Sequence, residues 1–307
     1  MTILDAIGHT PLVRLGALSH KDSAEVWVKW EGANPTGSMK DRMARQMVEG
    51  AEKRGELRRG MTVVEVTGGS TGSSLALVCA LKGYRAHFVS SDAFAREKLS
   101  TIRAFGAQLE IVPSEAGRIT PAVRATMQSE VEKLAELPGH FWTKQFSNPD
   151  NRSSYHAMAE ELLRDTDGRI DAFVMGVGTG GCFSGNAEIL KARLTTVRCI
   201  AVEPATARLL SGGPVTGHHI EGLASAFIGS ITRTDLIDEI VAVSDEDAAA
   251  TARRLAREEG IFSGMSAGAN VWAALQVAER LGRGRRIVTI APDSGLKYLQ
   301  GHLFAWP

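Results

Sequence analysis

Short runs rich in valine and isoleucine alternate along this chain with longer stretches whose apolar residues recur at helical spacing. The runs at 25–30, 62–66, 85–90, 107–112, 171–177, 197–203 and 285–291 predict β-strands. Between them the periodicity predicts helices over 38–55, 71–82, 93–105, 120–136, 151–165, 182–194, 245–259 and 268–282. Segments such as AFVMGV (172–177) and RIVTIA (286–291) are apolar at nearly every position. Strands buried on both faces of a parallel sheet have that pattern, because helices cover each side. The alternation therefore predicts an α/β fold built from mostly parallel sheets flanked by helices.

At 307 residues the chain is long enough for about two domains. The strands near 62, 85 and 107 form one compact set with their helices, and a second set starts after HFWTKQFSNPDN (140–151). Lys plus Arg equals Asp plus Glu at 35 each, so no surplus charge argues for nucleic acid or a membrane surface as partner. The longest strongly apolar run, Leu75 to Leu81, is too short to span a bilayer, and the first residues show no signal-peptide pattern. Cys79, Cys182 and Cys199 are sparse, odd in number and without metal-ligand spacing. That argues against a disulfide framework or a zinc site and fits a reducing cytoplasm, with Cys79 and Cys199 expected in the core.

Three glycine-rich turns carry the candidate chemistry. In Asn34-Pro35-Thr36-Gly37-Ser38-Met39-Lys40-Asp41-Arg42, Pro and Gly end a strand and Ser38 can cap the next helix. Lys40 then falls in the first helical turn, where the dipole disfavours a cation. That field, with partial burial, lowers an amine pKa and suits a Schiff-base lysine; the plainer alternative is a solvated lysine at a helix start. The second turn, Thr67-Gly68-Gly69-Ser70-Thr71, leads from strand to helix and aims backbone N–H groups at a carboxylate or phosphate, unless it is only a tight connection. The third, Gly176-Val177-Gly178-Thr179-Gly180-Gly181-Cys182, is a further anion cradle in which no Cβ obstructs phosphate oxygens. Two anion cups and an activated lysine describe a ligand with both a phosphate and a carboxylate.

Two other readings compete. Gly176, Gly178 and Gly181 satisfy G-x-G-x-x-G, and Glu203 ends the next strand, which is the pattern of an NAD-dependent oxidoreductase. That reading leaves the lysine motif and the 67–71 turn unexplained. Gly264-Met265-Ser266-Ala267-Gly268 matches G-x-S-x-G, with Asp293 and His302 following in serine-hydrolase order. The segment before it, ATARRLAREEGIF, is amphipathic helix rather than the strand a nucleophile elbow needs, so Ser266 is equally well a helix N-cap.

Taken together, the motifs resemble the cysteine synthase family, within the tryptophan synthase β-like group of pyridoxal-phosphate enzymes. The resemblance runs through IGHTPLVRL, NPTGSMKDR, TGGST, QFSNPDN, GVGTGG, VEP, EGLASAFI, GMSAGA and PDSGLKYL, in that order. It implies two domains, a small one at 38–142 and a large one made of 1–37 with 143–307. It implies that Lys40 holds pyridoxal 5'-phosphate, that Gly178, Thr179, Gly180, Gly181 and Cys182 hold the phosphate, and that Ser266 meets the pyridine nitrogen. Thr67, Gly68, Gly69 and Thr71 would clasp the substrate carboxylate with help from Gln145, and Ser70 would lie near the cofactor ring.

A serine hydroxyl at the ring nitrogen does not force a proton onto it, so the ring is a weaker electron sink and a β-leaving group can drain the negative charge. The resemblance thus implies β-replacement on an O-activated serine, O-acetyl-L-serine by default, giving L-cysteine or a related β-substituted alanine. A serine/threonine dehydratase or other β-eliminating ammonia-lyase is the nearest alternative, and a non-catalytic binding module with the same fold is another. The expected partners are a small amino acid, a small nucleophile such as sulfide, and a second copy in a homodimer. No regulatory module is expected after PDSGLKYL. Three departures bear on the substrate: TGGST stands where the family has TSGNT, Cys182 where it has threonine, and GLASAFIG (222–229) where it has GIGAGFIP.

Overall fold

The computed structural model describes residues 2–223 and 227–305. The predicted strands form as β2 (Glu25–Trp30), β3 (Thr62–Val66), β4 (Arg85–Ser91), β5 (Gln108–Val112), β7 (Ala172–Gly176), β8 (Arg198–Pro204) and β10 (Arg286–Ala291). Three more were not expected: β1 (Leu12–Arg14), β6 (His140–Trp142) and β9 (Glu239–Val243). Two of these have only three residues, too few for a period to register. β9 is half-buried along most of its length and lies at a sheet edge, so it lacks the continuous apolar run of its neighbours.

The helices are α1 (Lys40–Arg54), α2 (Ser70–Lys82), α3 (Arg96–Ala104), α4 (Pro121–Glu136), α5 (Pro149–Ser153), α6 (His156–Asp165), α7 (Gly181–Arg193), α8 (Asp245–Glu259) and α9 (Met265–Leu281). The helix expected over 151–165 is thus two, and α7 explains the break. A side chain on its Gly185 would collide with the Arg152 carbonyl and approach Tyr155, so the chain bends where α7 crosses it. Helix α5 starts earlier than expected because Asn148 caps it through the Asp150 N–H, with Pro149 in the first turn.

Among the described residues the strands form two sheets, ordered β1-β2-β10-β7-β8-β9 and β5-β4-β3-β6. Every pairing is parallel except β1 with β2. Alternate residues of a strand serve different cores. Phe173, Met175, Val288 and Ile290 join Val63 and Phe88 in a core that α1, α2, α6 and α7 share between both sheets. Ala172, Val174, Ile200 and Val202 face α8 and α9 on the far side of the large sheet, while Val64 and Val89 face α4 on the far side of the small one.

A buried ion network ties these layers together. Arg42 on α1 pairs with Glu31 at 2.8 Å and with Glu161 on α6 at 2.7 Å, and Lys29 on β2 pairs with Glu161 at 2.9 Å. Burial alone would raise the Glu161 carboxyl, but the Arg42 and Lys29 cations outweigh it and bring its pKa down to about 2. Because parallel strands point one way, the segments after β3, β6, β7 and β10 all emerge at carboxyl ends, where ligands bind in open α/β sheets.

Candidate active site

Helix α1 begins at Lys40 rather than at residue 38. Ser38 lies outside the helix, yet its Oγ accepts the Lys40 N–H at 3.2 Å, so the expected capping contact forms one position early. The turn before it is anchored at both ends: Asp41 accepts Thr36 N–H and O–H at 2.8 and 2.5 Å, and Met39 N–H donates to the Pro292 carbonyl at 2.8 Å. Burial lowers the Lys40 amine's pKa, while Cys182 and Asp293 stand within electrostatic reach of it and act in the opposite sense. Lys40 is half-buried, with the 176–182 turn and Asp293 within electrostatic reach of its amine.

Cys182 is in the first turn of α7 and buried. Burial pushes its thiol up to about 12, so it stays neutral at ordinary pH. The glycines before it are demanded by the chain itself as much as by any ligand. Gly180 has φ of 87°, and a Cβ there would run into Thr232; a Cβ on Gly178 would run into the Gly222 carbonyl. Cys182 brings the first turn of α7 within electrostatic reach of Lys40.

The Thr67 to Thr71 loop and Gln145 come together as expected. Thr71 Oγ1 donates to Gln145 Oε1 at 2.9 Å, and Gln145 Nε2 donates to the Val66 carbonyl at 2.8 Å. Thr67 Oγ1 accepts the N–H groups of Gly69 and Gly72 at 2.9 and 3.0 Å, so those two donors are turned inward rather than toward a ligand. Gly68 is exposed at the tip and Ser70 opens α2, half-buried. Asn151, which was not among the candidate site residues, joins this loop to the 176–182 turn. Its Nδ2 donates to the Gln145 carbonyl at 2.7 Å and to Thr179 Oγ1 at 3.2 Å. Glu65 was missed as well: it accepts from Thr143, Trp142 and Gln145 and fixes the segment after β6 against β3. Asn151 lay in QFSNPDN and was legible there; Glu65, inside a strand, offered no signal.

The competing readings fail on geometry. Glu203 accepts from the Leu210 N–H at 2.8 Å and from the Ser211 hydroxyl, so it holds a loop of its own chain. Ser266 is buried as the second residue of α9, whose N-cap is Gly264, so it is neither on an elbow nor the cap itself. Asp293 is bonded by Tyr298 at 2.5 Å, while His302 is exposed, and no Ser-Asp-His triad exists. Of the GLASAFIG segment, Ala224 to Ala226 lie outside the described residues.

A half-buried lysine with lowered pKa, within electrostatic reach of the first turn of α7, is a donor set that fits pyridoxal phosphate. Residues 3–293 match the pyridoxal-phosphate-dependent enzyme family. The chain belongs to the cysteine synthase family of these enzymes. It is 39% identical over 306 residues to a cysteine synthase of Staphylococcus aureus, covering 99% of this chain and 97% of that one. Among solved structures, an O-ureido-L-serine synthase superposes with TM-score 0.92 at 40% identity, covering 98% of this chain and 94% of that one. The cysteine synthase of Entamoeba histolytica gives TM-score 0.93 at 35% identity, covering 100% and 91%. The cysteine synthase family fold and the pyridoxal-phosphate cofactor are thereby those of this chain, an enzyme with no helix among the described residues long and apolar enough to cross a membrane.

Proposed function

We propose that this enzyme catalyses β-replacement on an O-activated L-serine such as O-acetyl-L-serine, with sulfide or a similar small nucleophile, giving L-cysteine or a related β-substituted alanine. What supports the reading is that Lys40, at the start of α1, lies within electrostatic reach of Cys182, at the start of α7. When bound, the cofactor supplies the electron sink that makes the substrate α-carbon acidic. Everything else is the work of the chain's own residues.

Lys40 holds the cofactor and then, released, takes the α-proton on Nζ; burial keeps its amine available as a base. Gly178, Thr179, Gly180, Gly181 and Cys182 hold the phosphate at the positive end of α7, where backbone donors and helix dipole act together. Cys182, a weak donor, replaces a hydroxyl there. Ser266 at the start of α9 would meet the pyridine nitrogen, and Ser70 at the start of α2 would lie near the ring. Gly68, Thr71 and Gln145 would orient the substrate carboxylate, with Thr71 and Gln145 already bonded to one another, while Thr67 and Gly69 hold the shape of the loop. The division into a 38–142 domain and a 1–37 with 143–307 domain is supported by β2 joining the large sheet; β6 extends the small sheet to its upper boundary. The family resemblance supports a homodimer, and three buried free cysteines support a reducing cytoplasm.

The purified protein is expected to be yellow and Lys40→Ala colourless, with a spectral shift on adding O-acetyl-L-serine and cysteine formed only when sulfide follows. Pyruvate and ammonia from the same mixture without sulfide would move the reading to a β-eliminating lyase. A wild-type protein that binds no cofactor would overturn it.

A further inference from the structure

One charged group beside Lys40 is left over by this account. Asp293 follows β10 and is buried, 5% exposed, yet its Oδ1 has no hydrogen-bond partner among the described residues. Its other groups are well held. Oδ2 accepts the Tyr298 O–H at 2.5 Å, and the Asp293 carbonyl accepts from Ser263 Oγ at 2.5 Å. Tyr298 in turn accepts from Lys98 Nζ at 3.2 Å, and Lys98 pairs with Glu221 at 2.5 Å. Backbone bonds fasten this carboxylate to the turn that delivers Lys40. Ser38 and Asp293 form an antiparallel bridge, flanked by Met39 N–H to Pro292 O at 2.8 Å and Ser294 N–H to Gly37 O at 2.9 Å.

We propose that Asp293 is a positioning residue of the reaction, whose free Oδ1 is the counter-ion for the ammonium that Lys40 becomes when it takes up the substrate's α-proton. The inference rests on the reading of Lys40 given above. In that step the substrate Cα–H bond breaks, an N–H bond forms on Lys40, and the electron pair stays with the substrate and its cofactor; nothing is oxidised or reduced. The new ammonium lies where burial opposes charge, so a carboxylate oxygen with a lone pair to spare lowers the cost of holding the proton until it is returned. The Cys182 thiol, kept neutral by burial, cannot do this.

The other groups facing Asp293 are Lys98 on α3, Lys297 and Tyr298 just beyond it, and Glu221 before the 222–229 segment. Burial raises the Asp293 carboxyl's pKa, while Lys98, the Tyr298 bond and Lys297 counter that rise; Glu221 adds to it. Lys98 has Glu221 for itself, and Lys297 shares Asp41. Lys98 and Lys297 are the cations that compete with Lys40 for the Asp293 carboxylate.

The test is the pH profile of Lys40 labelling by trinitrobenzenesulfonate in the cofactor-free full-length chain, read by peptide mass spectrometry, beside the pH profile of kcat in the holoenzyme. Asp293→Asn is expected to lower the Lys40 midpoint by about one unit or more. Below that midpoint labelling then runs about tenfold faster, and the acid limb of kcat moves the same way. Tyr298→Phe, which removes the bond to Oδ2, should move both less far in the same direction; if the asparagine variant does not fold, it decides alone. A midpoint unmoved by the substitution overturns the proposal, whether the carboxylate serves Lys297 or only stability. Were Lys40→Ala still yellow, the reading of Lys40 itself would fall, a result distinguishable from the first.

Discussion

At the scale of single residues, the candidate site depends on what burial does to ionisable groups. The low pKa of Lys40 and the high one of Cys182 have the same cause, since desolvation penalises an ammonium and a thiolate alike. Cys182 would consequently offer a phosphate bound at the first turn of α7 only a weak S–H donor. Cys182→Thr should restore a hydroxyl at that point and slow cofactor loss on dialysis by about threefold to tenfold, the value of one net hydrogen bond. An unchanged rate would place the phosphate elsewhere. Lys40 was legible in the sequence because NPTGSMKDR sets a lysine at a helix start, where a structural lysine has little reason to be. Asp293 was not. It stood out only as a member of a false hydrolase motif, because nothing in PDSGLKYL reveals that one oxygen is left unpaired in the fold.

At the scale of elements, the turns are shaped by neighbours far away in the chain. Gly180 combines positive φ with Thr232 packed against the space a side chain would need, so Gly180→Ala must both strain the backbone and displace the 229–232 segment. A loss of about 2 kcal/mol in urea-unfolding stability is expected, together with impaired cofactor retention. Equal stability would mean the 176–182 turn is more plastic than its packing indicates. The strands at 62–66, 172–176 and 286–291 were readable because continuous apolar runs survive only where both faces are covered. The break between α5 and α6 was not, because its cause is the crossing of α7 at Gly185 and not any feature of residues 151–165.

For the whole molecule, the network of Lys29, Glu31, Arg42 and Glu161 joins β2, α1 and α6 behind the lysine turn. Glu161 is held at about 2, below its ordinary value, so its contribution to stability is complete above about pH 4.5 and disappears as the pH falls toward 2. That contribution is about 2 kcal/mol once screening is allowed for. Glu161→Gln should therefore destabilise the enzyme at pH 7 by that amount or more and flatten the loss of stability between pH 4.5 and 2, measured by urea unfolding. An acid profile that keeps its slope would assign the loss to other carboxylates. The sequence by itself determined the α/β class, most of the strands and the places of the glycine-rich turns, since these follow from local periodicity and turn chemistry. Only the tertiary structure decided that Cys182 comes within electrostatic reach of Lys40, that Glu203 holds a loop and that Asp293 is fastened to the turn carrying the lysine. Proximity between residues 40, 182 and 293 is fixed by the packing of helices on two sheets, which no local pattern encodes.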